Sequence, residues 1–186
     1  MKPSCKGFIL AAGLGTRMQP LTHLRAKPAI PFLNRPFVLH ALDLLSTAGI
    51  REIAVNLHHL PDTVREALGD RARGIRFSQE AEILGTAGGL GALRDFFRGS
   101  TTVIINAKIY FEQDLRPVLE FHQSRKALAT MVVVPRSGNE DFKPVFVDER
   151  ARITGFARGF SLPDTESSPR TLYVFTGIQT KSNCSL

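Results

Sequence analysis

The sequence is poor in cysteine, in long apolar runs and in clustered charge, and each shortage removes a class of protein. Cys5 and Cys184 stand near opposite ends, with neither a disulfide framework nor metal-ligand spacing, so a reducing cytoplasm is the expected setting. No apolar stretch approaches the length that spans a bilayer, and Met1 to Lys6 holds no secretory core with a cleavage site, so no membrane association is expected. The formal net charge is +7, yet the basic residues are scattered, without interleaved aromatics or a nucleic-acid-binding motif. Nucleic acid is therefore not an expected partner. His58 and His59 point to opposite faces of an extended segment, and His23, His40 and His122 lie in unrelated segments, which gives a zinc site or a histidine triad little support. Ser4, Ser46 and Ser78 lack a nucleophile elbow.

The 186 residues, 43% hydrophobic and 22% charged, are those of an ordinary globular chain and are read as one domain, 1–186. The apolar run Phe8 to Ala12 has the length of one buried strand. Further strands are expected at Glu52–Leu57, Ile75–Ser78, Thr102–Asn106 and Leu128–Val134. Helices are expected at Pro36–Ala48, Pro61–Leu68, Thr86–Phe97 and Asp114–Arg125, the last with Asp114 as its cap. This alternation predicts an α/β fold: a doubly wound, mainly parallel (mixed) sheet with helices on both faces and a ligand beyond the carboxyl ends of the strands. From Pro144 onward the pattern changes to short β pieces, Val145–Val147, Ile153–Phe156 and Leu172–Phe175, with a turn-rich loop at Ser161–Arg170.

The most informative stretch is Phe8 to Pro28. Directly after the strand come Gly13 and Gly15, then Thr16, Arg17 and later Lys27. Glycines past a strand allow a tight turn and bring bare N–H groups close to a ligand, and two cations beside them suit a polyphosphate. A dinucleotide fingerprint would need a further glycine where Met18 stands, and no Gly-Lys-Ser/Thr triplet of a P-loop occurs, so a nicotinamide oxidoreductase is disfavoured. A lone Gly-x-Gly would be read as a plain turn. The added Thr16-Arg17, Pro20-Leu21-Thr22 and Lys27-Pro28 favour a binding function.

AAGLGTRMQPLT followed by AKPAIPFLNRPFV, then VNLHHLPDTVREAL, ILGTAGGLGAL, VIINAKIYFEQDL and YVFTGI, resembles the sugar-1-phosphate nucleotidyltransferases, or NDP-sugar pyrophosphorylases. The resemblance covers nearly the whole chain and thins between Pro135 and Arg170. It implies a Rossmann-like nucleotidyltransferase fold and transfer of a nucleoside monophosphate from an NTP to a sugar 1-phosphate, with pyrophosphate released. Both substrates are small molecules, and a homo-oligomer is compatible with the reading. The resemblance puts Leu10, Ala11, Ala12, Gly13, Gly15, Thr16 and Arg17 on the nucleotide, with Arg17 on the leaving pyrophosphate and Lys27 on the α-phosphate or the sugar phosphate; Arg17 and Lys27 are its catalytic residues. It also puts Gln79, Glu80, Gly85, Thr86, Ala87 and Gly88 near the nucleobase, in a segment most like guanylyl- or uridylyl-transferring members. Asn106, Lys108, Thr176 and Gly177 fall at the sugar phosphate. Glycines at Gly85, Gly88, Gly89 and Gly91 are costly at a helix start, and close approach of a flat ligand would explain them.

The resemblance also implies Mg²⁺, held by an aspartate where this chain has Lys108, and an ammonium cannot ligate magnesium. Either Lys108 replaces part of the metal's charge, or Glu112 or Asp114 recruits the ion, or the chain is a non-catalytic nucleotide- and sugar-phosphate-binding regulatory relative. A sugar-contacting Glu-Lys-Pro of the family would fall near Arg158-Gly159-Phe160, which does not match. The family continues beyond Ile178 to a second metal-binding carboxylate, so a chain ending at Leu186 is expected to be truncated or to diverge there.

Overall fold

The computed structural model describes residues 4–137, 142–157 and 171–182. Its elements run β1 Ser4–Leu10, α1 Leu21–Leu24, β2 Pro31–Phe32, β3 Arg35–Pro36, α2 Phe37–Thr47, β4 Ile53–Leu57, α3 Pro61–Leu68 and β5 Arg76–Gln79. They continue through α4 Gly85–Ala92, α5 Arg94–Phe97, β6 Ser100–Asn106, α6 Arg116–Ser124, β7 Ala129–Pro135, β8 Pro144–Val147, β9 Ile153–Phe156 and β10 Thr171–Lys181. The chain forms two compact units, Met1–Thr130 with Gln179–Leu186, and Met131–Ile178.

In the first unit four parallel strands lie in the order β5-β4-β1-β6. Side chains alternate across a strand, so neighbours on β1 report opposite faces. Phe8 packs with Ala54, Ile104, Leu90, Leu93 and Phe97, which puts α4 and α5 on its face. Its ring lies 5.3 Å from that of Phe97. A Cβ on the adjacent Gly7 would come within 2.6 Å of Leu45 Cδ1, which puts α2 against the other face. The sheet is thus covered on both sides, as the strand–helix alternation predicts. Val38, Ala41, Leu42 and Leu45 form the buried stripe of α2 at helical spacing. Gly49, at φ +81°, ends that helix, where Ile50 N donates to Leu45 O.

The expected boundaries hold within a few residues for most elements, with three differences. The helix expected over Thr86–Phe97 is two helices that meet at Leu93, whose φ of −111° and ψ of 21° leave the helical range. Asp114 caps α6 from outside, its Oδ1 accepting from Arg116 N at 2.9 Å. The β2–β3 hairpin went unforeseen: Leu33 and Asn34 both take positive φ, 50° and 58°, the requirement of the tight turn that matches strand twist.

In the second unit β8 pairs antiparallel with β9 and with β10. β10 is longer than the sequence pattern suggested, eleven residues instead of a short piece. Among the described residues no helix is long and apolar enough to cross a membrane. Arg158-Gly159-Phe160 and the Ser161–Arg170 segment lie outside the described residues.

Candidate functional site

Strand order places the site. From β1 the chain winds to β4 and β5 on one side, whereas β6 lies on the other, so the winding reverses between β1 and β6. Loops at such a reversal diverge and leave a crevice beyond the carboxyl ends of the two strands. The register puts Leu10, the last residue of β1, level with Asn106, the last of β6, and with Asn56, the last but one of β4.

A cleft of about 290 Å³ opens there. Leu10, Ala11, Ala12 and Gly13 leave β1 along it, and Asn106, Ala107 and Lys108 leave β6 along it. Gly15, Thr16, Arg17, Lys27 and Pro28 come from the loop after β1, and Ile83, Gly85 and Thr86 from the segment entering α4. Of the residues the sequence assigned to a nucleotide or sugar phosphate, Gln79, Glu80, Ala87, Gly88, Thr176 and Gly177 are not among those lining it. Gln79 Oε1 instead accepts from Arg65 Nη2 at 3.1 Å. Thr176 and Gly177 lie on β10 in the second unit, where Thr176 Oγ1 donates to Val132 O at 2.8 Å.

The glycine loop is shaped by Gly15. Its φ of +67° is a left-handed backbone, and a Cβ there would meet Thr22 Cγ2 at 2.8 Å and Lys27 Cβ at 3.1 Å. Only glycine satisfies both conditions at once. Thr22 is 2% exposed and its hydroxyl donates to Gly15 O at 3.3 Å, so this residue braces the turn from beneath. Thr63 of α3 braces the approach to Lys27, its hydroxyl accepting from Ala26 N at 3.1 Å.

A buried polar chain forms the floor. Asn56 Oδ1 accepts from Ala11 N at 2.8 Å, and Asn56 Nδ2 donates to Glu80 Oε1 at 2.8 Å. The other carboxylate oxygen, Glu80 Oε2, accepts from Leu84 N at 3.0 Å. Glu80, 5% exposed, therefore ties the ends of β4 and β5 to the entrance of α4. Asn56 is not marked by sequence pattern; its one signal is a lone amide at the penultimate position of an otherwise apolar strand, IAVNL. One glycine of α4, Gly89, has a different reason from the one expected. A Cβ on Gly89 would come within 3.1 Å of Glu80 Oε1, 3.2 Å of Phe8 Cζ and 3.3 Å of Asn56 Nδ2, so the protein's own side chains fill that space. Gly85, at φ +67°, is there for its backbone, and no heavy atom crowds it.

Charge in the cleft is of one sign. Among the described residues seven aspartates or glutamates pair with basic side chains: Glu52 with Lys6, Asp43 with Arg35 and Arg71, and Asp62, Asp70, Asp95, Asp114 and Asp148 with arginines near them in sequence. Among the described residues Arg17, Lys27 and Lys108 have no such partner. Burial, and then the positive charges of Lys108 and Arg17, hold the Lys27 ammonium below the ordinary lysine value. Three cations thus face one glycine-lined volume, an arrangement that suits a polyanion.

The donors do not fit a resident magnesium ion, which wants several carboxylate or carbonyl oxygens. Among the described residues no three histidines, cysteines or carboxylates gather into a metal site. Both oxygens of Glu80 are taken, and Glu112 and Asp114 line a separate cavity. There Glu112 accepts from the Tyr110 hydroxyl at 2.6 Å and Asp114 is ion-paired with Arg116.

Comparison with known proteins identifies the family. The nucleotidyl transferase family model matches residues 6–175. The chain belongs to that family. Similar to it are a mannose-1-phosphate guanylyltransferase of Mycobacterium tuberculosis, 31% identical over 90% of this chain and 47% of the relative, and a UTP–glucose-1-phosphate uridylyltransferase of Synechocystis, 33% identical over 81% and 43%. The chain spans less than half the length of these curated relatives. A crystal structure assigned as a glucose-1-phosphate thymidylyltransferase of Bacillus anthracis, in complex with sucrose, superposes with a TM-score of 0.79 at 26% identity, covering 96% of this chain and 72% of that one. For this nucleotidyl transferase family member, the mixed, mostly parallel α/β fold expected from the sequence is therefore the fold of a solved relative as well.

Proposed function

We propose that this chain carries the phosphate-handling half of a sugar-1-phosphate nucleotidyltransferase. In the reaction a phosphate oxygen of the sugar 1-phosphate attacks the α-phosphorus of an NTP. A new P–O bond forms, the bond from the α-phosphorus to the α–β bridging oxygen breaks, and pyrophosphate leaves with the electron pair. Little covalent chemistry is asked of the protein, so catalysis lies in alignment and charge stabilisation. The N–H groups of the Gly13–Arg17 turn hold the triphosphate, Arg17 takes charge developing on the pyrophosphate, and Lys27 sits against the α-phosphate. Ile83, Gly85 and Thr86 offer a flat wall for the base, and Asn106 and Lys108 meet the incoming sugar phosphate.

The observation that carries this reading is the convergence of three cations without carboxylate partners on a glycine turn at the reversal of strand order. Family relatives named for guanylyl and uridylyl transfer support the reaction class. The test is pyrophosphate release from a panel pairing GTP or UTP with mannose 1-phosphate or glucose 1-phosphate. Release from at least one pair, lowered about 10²–10³-fold by Arg17→Ala, is expected. Nucleotide binding without release from any pair would favour a regulatory, non-catalytic relative instead.

A further inference from the structure

Lys108 stands where the end of β6 meets the cleft. Its backbone is fixed by the turn after β6, with Lys108 N donating to Asn106 O at 2.7 Å and Ala107 N to Leu10 O at 3.0 Å. Its exposed side chain lines the same cleft as Arg17 and Lys27. Among the described residues no carboxylate lines the cleft, and Glu80 in the floor network spends both oxygens on Asn56 and on Leu84 N. A polyphosphate bound as its magnesium complex brings a hydrated dication that needs an oxygen-rich face to rest on. Here that ion would meet the ammoniums of Lys27 and Lys108 and the Arg17 guanidinium, and charges of like sign in a partly enclosed volume repel strongly.

We propose that the cleft binds the metal-free polyphosphate, with the Lys108 ammonium occupying the place of a divalent cation, so that magnesium weakens binding instead of supporting it. The inference rests on the phosphate-binding reading above and specifies the form of ligand the site takes. Lysine suits the role because its ammonium is a compact point charge with three rotatable donors that can bridge oxygens of adjacent phosphates. Free magnesium then acts by mass action, withdrawing the uncomplexed polyphosphate from solution.

The probe is inorganic tripolyphosphate, which has no base or sugar, titrated calorimetrically into the full chain in excess EDTA and in excess MgCl₂. The wild-type chain should bind at least tenfold more tightly in EDTA, a difference of about 1.4 kcal/mol. Lys108→Ala should lower affinity in EDTA and lose the preference for it, and Lys108→Asp should reverse the preference so that magnesium strengthens binding. Because Lys108 is solvent-exposed, unfolding of the variants is not expected, and a melting curve of each checks this. Tighter binding of wild type in magnesium, or the same EDTA preference in all three proteins, would overturn the inference while leaving the phosphate site intact. Failure of tripolyphosphate to bind under either condition would overturn both.

Discussion

Asn56 and Glu80 are joined by a buried hydrogen bond of 2.8 Å from Nδ2 to Oε1, and through it the end of β4 controls where the cleft's floor sits. The same amide receives Ala11 N, so one side chain links the glycine loop to the segment that enters α4. Both oxygens of Glu80 act as acceptors, and that requirement makes the acid hard to replace.

Glu80→Gln is nearly isosteric yet turns one acceptor into a donor facing either Asn56 Nδ2 or Leu84 N. Leaving a buried polar group without its partner costs about 1–3 kcal/mol. Urea unfolding should show a loss of that size, and Asn56→Leu, which strands both Ala11 N and Glu80 Oε1, should lose at least as much. Unchanged midpoints in both variants would mean that the network does not hold the floor.

Glycine positions separate strain from crowding. Gly15→Ala combines a left-handed backbone, about 1–2 kcal/mol for a non-glycine residue, with contact against Thr22 and Lys27, whereas Gly85→Ala carries the same backbone strain in open space. Thermal unfolding should rank Gly15→Ala below Gly85→Ala. Gly91 sits in α4 without positive φ and with nothing within 4 Å, so Gly91→Ala should raise stability by about 0.4–1 kcal/mol.

His122 sets an acid limit on stability. Ser182 Oγ donates to Ala127 O, so it accepts from His122 Nε2–H, and Thr130 Oγ1 donates to Nδ1. The ring is held neutral, and burial places its pKa below the ordinary 6.5. The unfolded chain therefore takes up a proton that the folded chain resists. This contribution is fully present above 6.5 and is lost as pH falls from there through the folded value. The melting temperature of wild type should drop over that interval more than that of His122→Gln; parallel curves would show that the ring takes up its proton as readily in the fold as in the unfolded chain.

Much of this molecule was legible because its signals are local. Alternating strands and helices gave the doubly wound layers, and the turn after β1, with Arg17 and Lys27, was recognisable from residue type and spacing alone. What escaped depends on neighbours distant in sequence. Asn56 matters through Ala11 and Glu80, which no window around residue 56 contains. Gly89 was assigned to a ligand because nothing local shows that Phe8, Asn56 and Glu80 fill the space over its Cα. The hairpin at Leu33-Asn34 lacks the Asn-Gly that usually announces such a turn, and the break at Leu93 lies inside a stretch that reads as one continuous helix.

The role assigned to Arg17 and Lys27 is tested most directly by titrating tripolyphosphate, in EDTA, into wild type, Arg17→Ala and Lys27→Ala. Each substitution is expected to weaken binding about tenfold or more, and affinity of wild type is expected to fall as pH rises and the Lys27 ammonium, already held below its ordinary value, gives up its proton. Equal affinity in all three proteins would contradict a phosphate-binding cleft at the glycine turn.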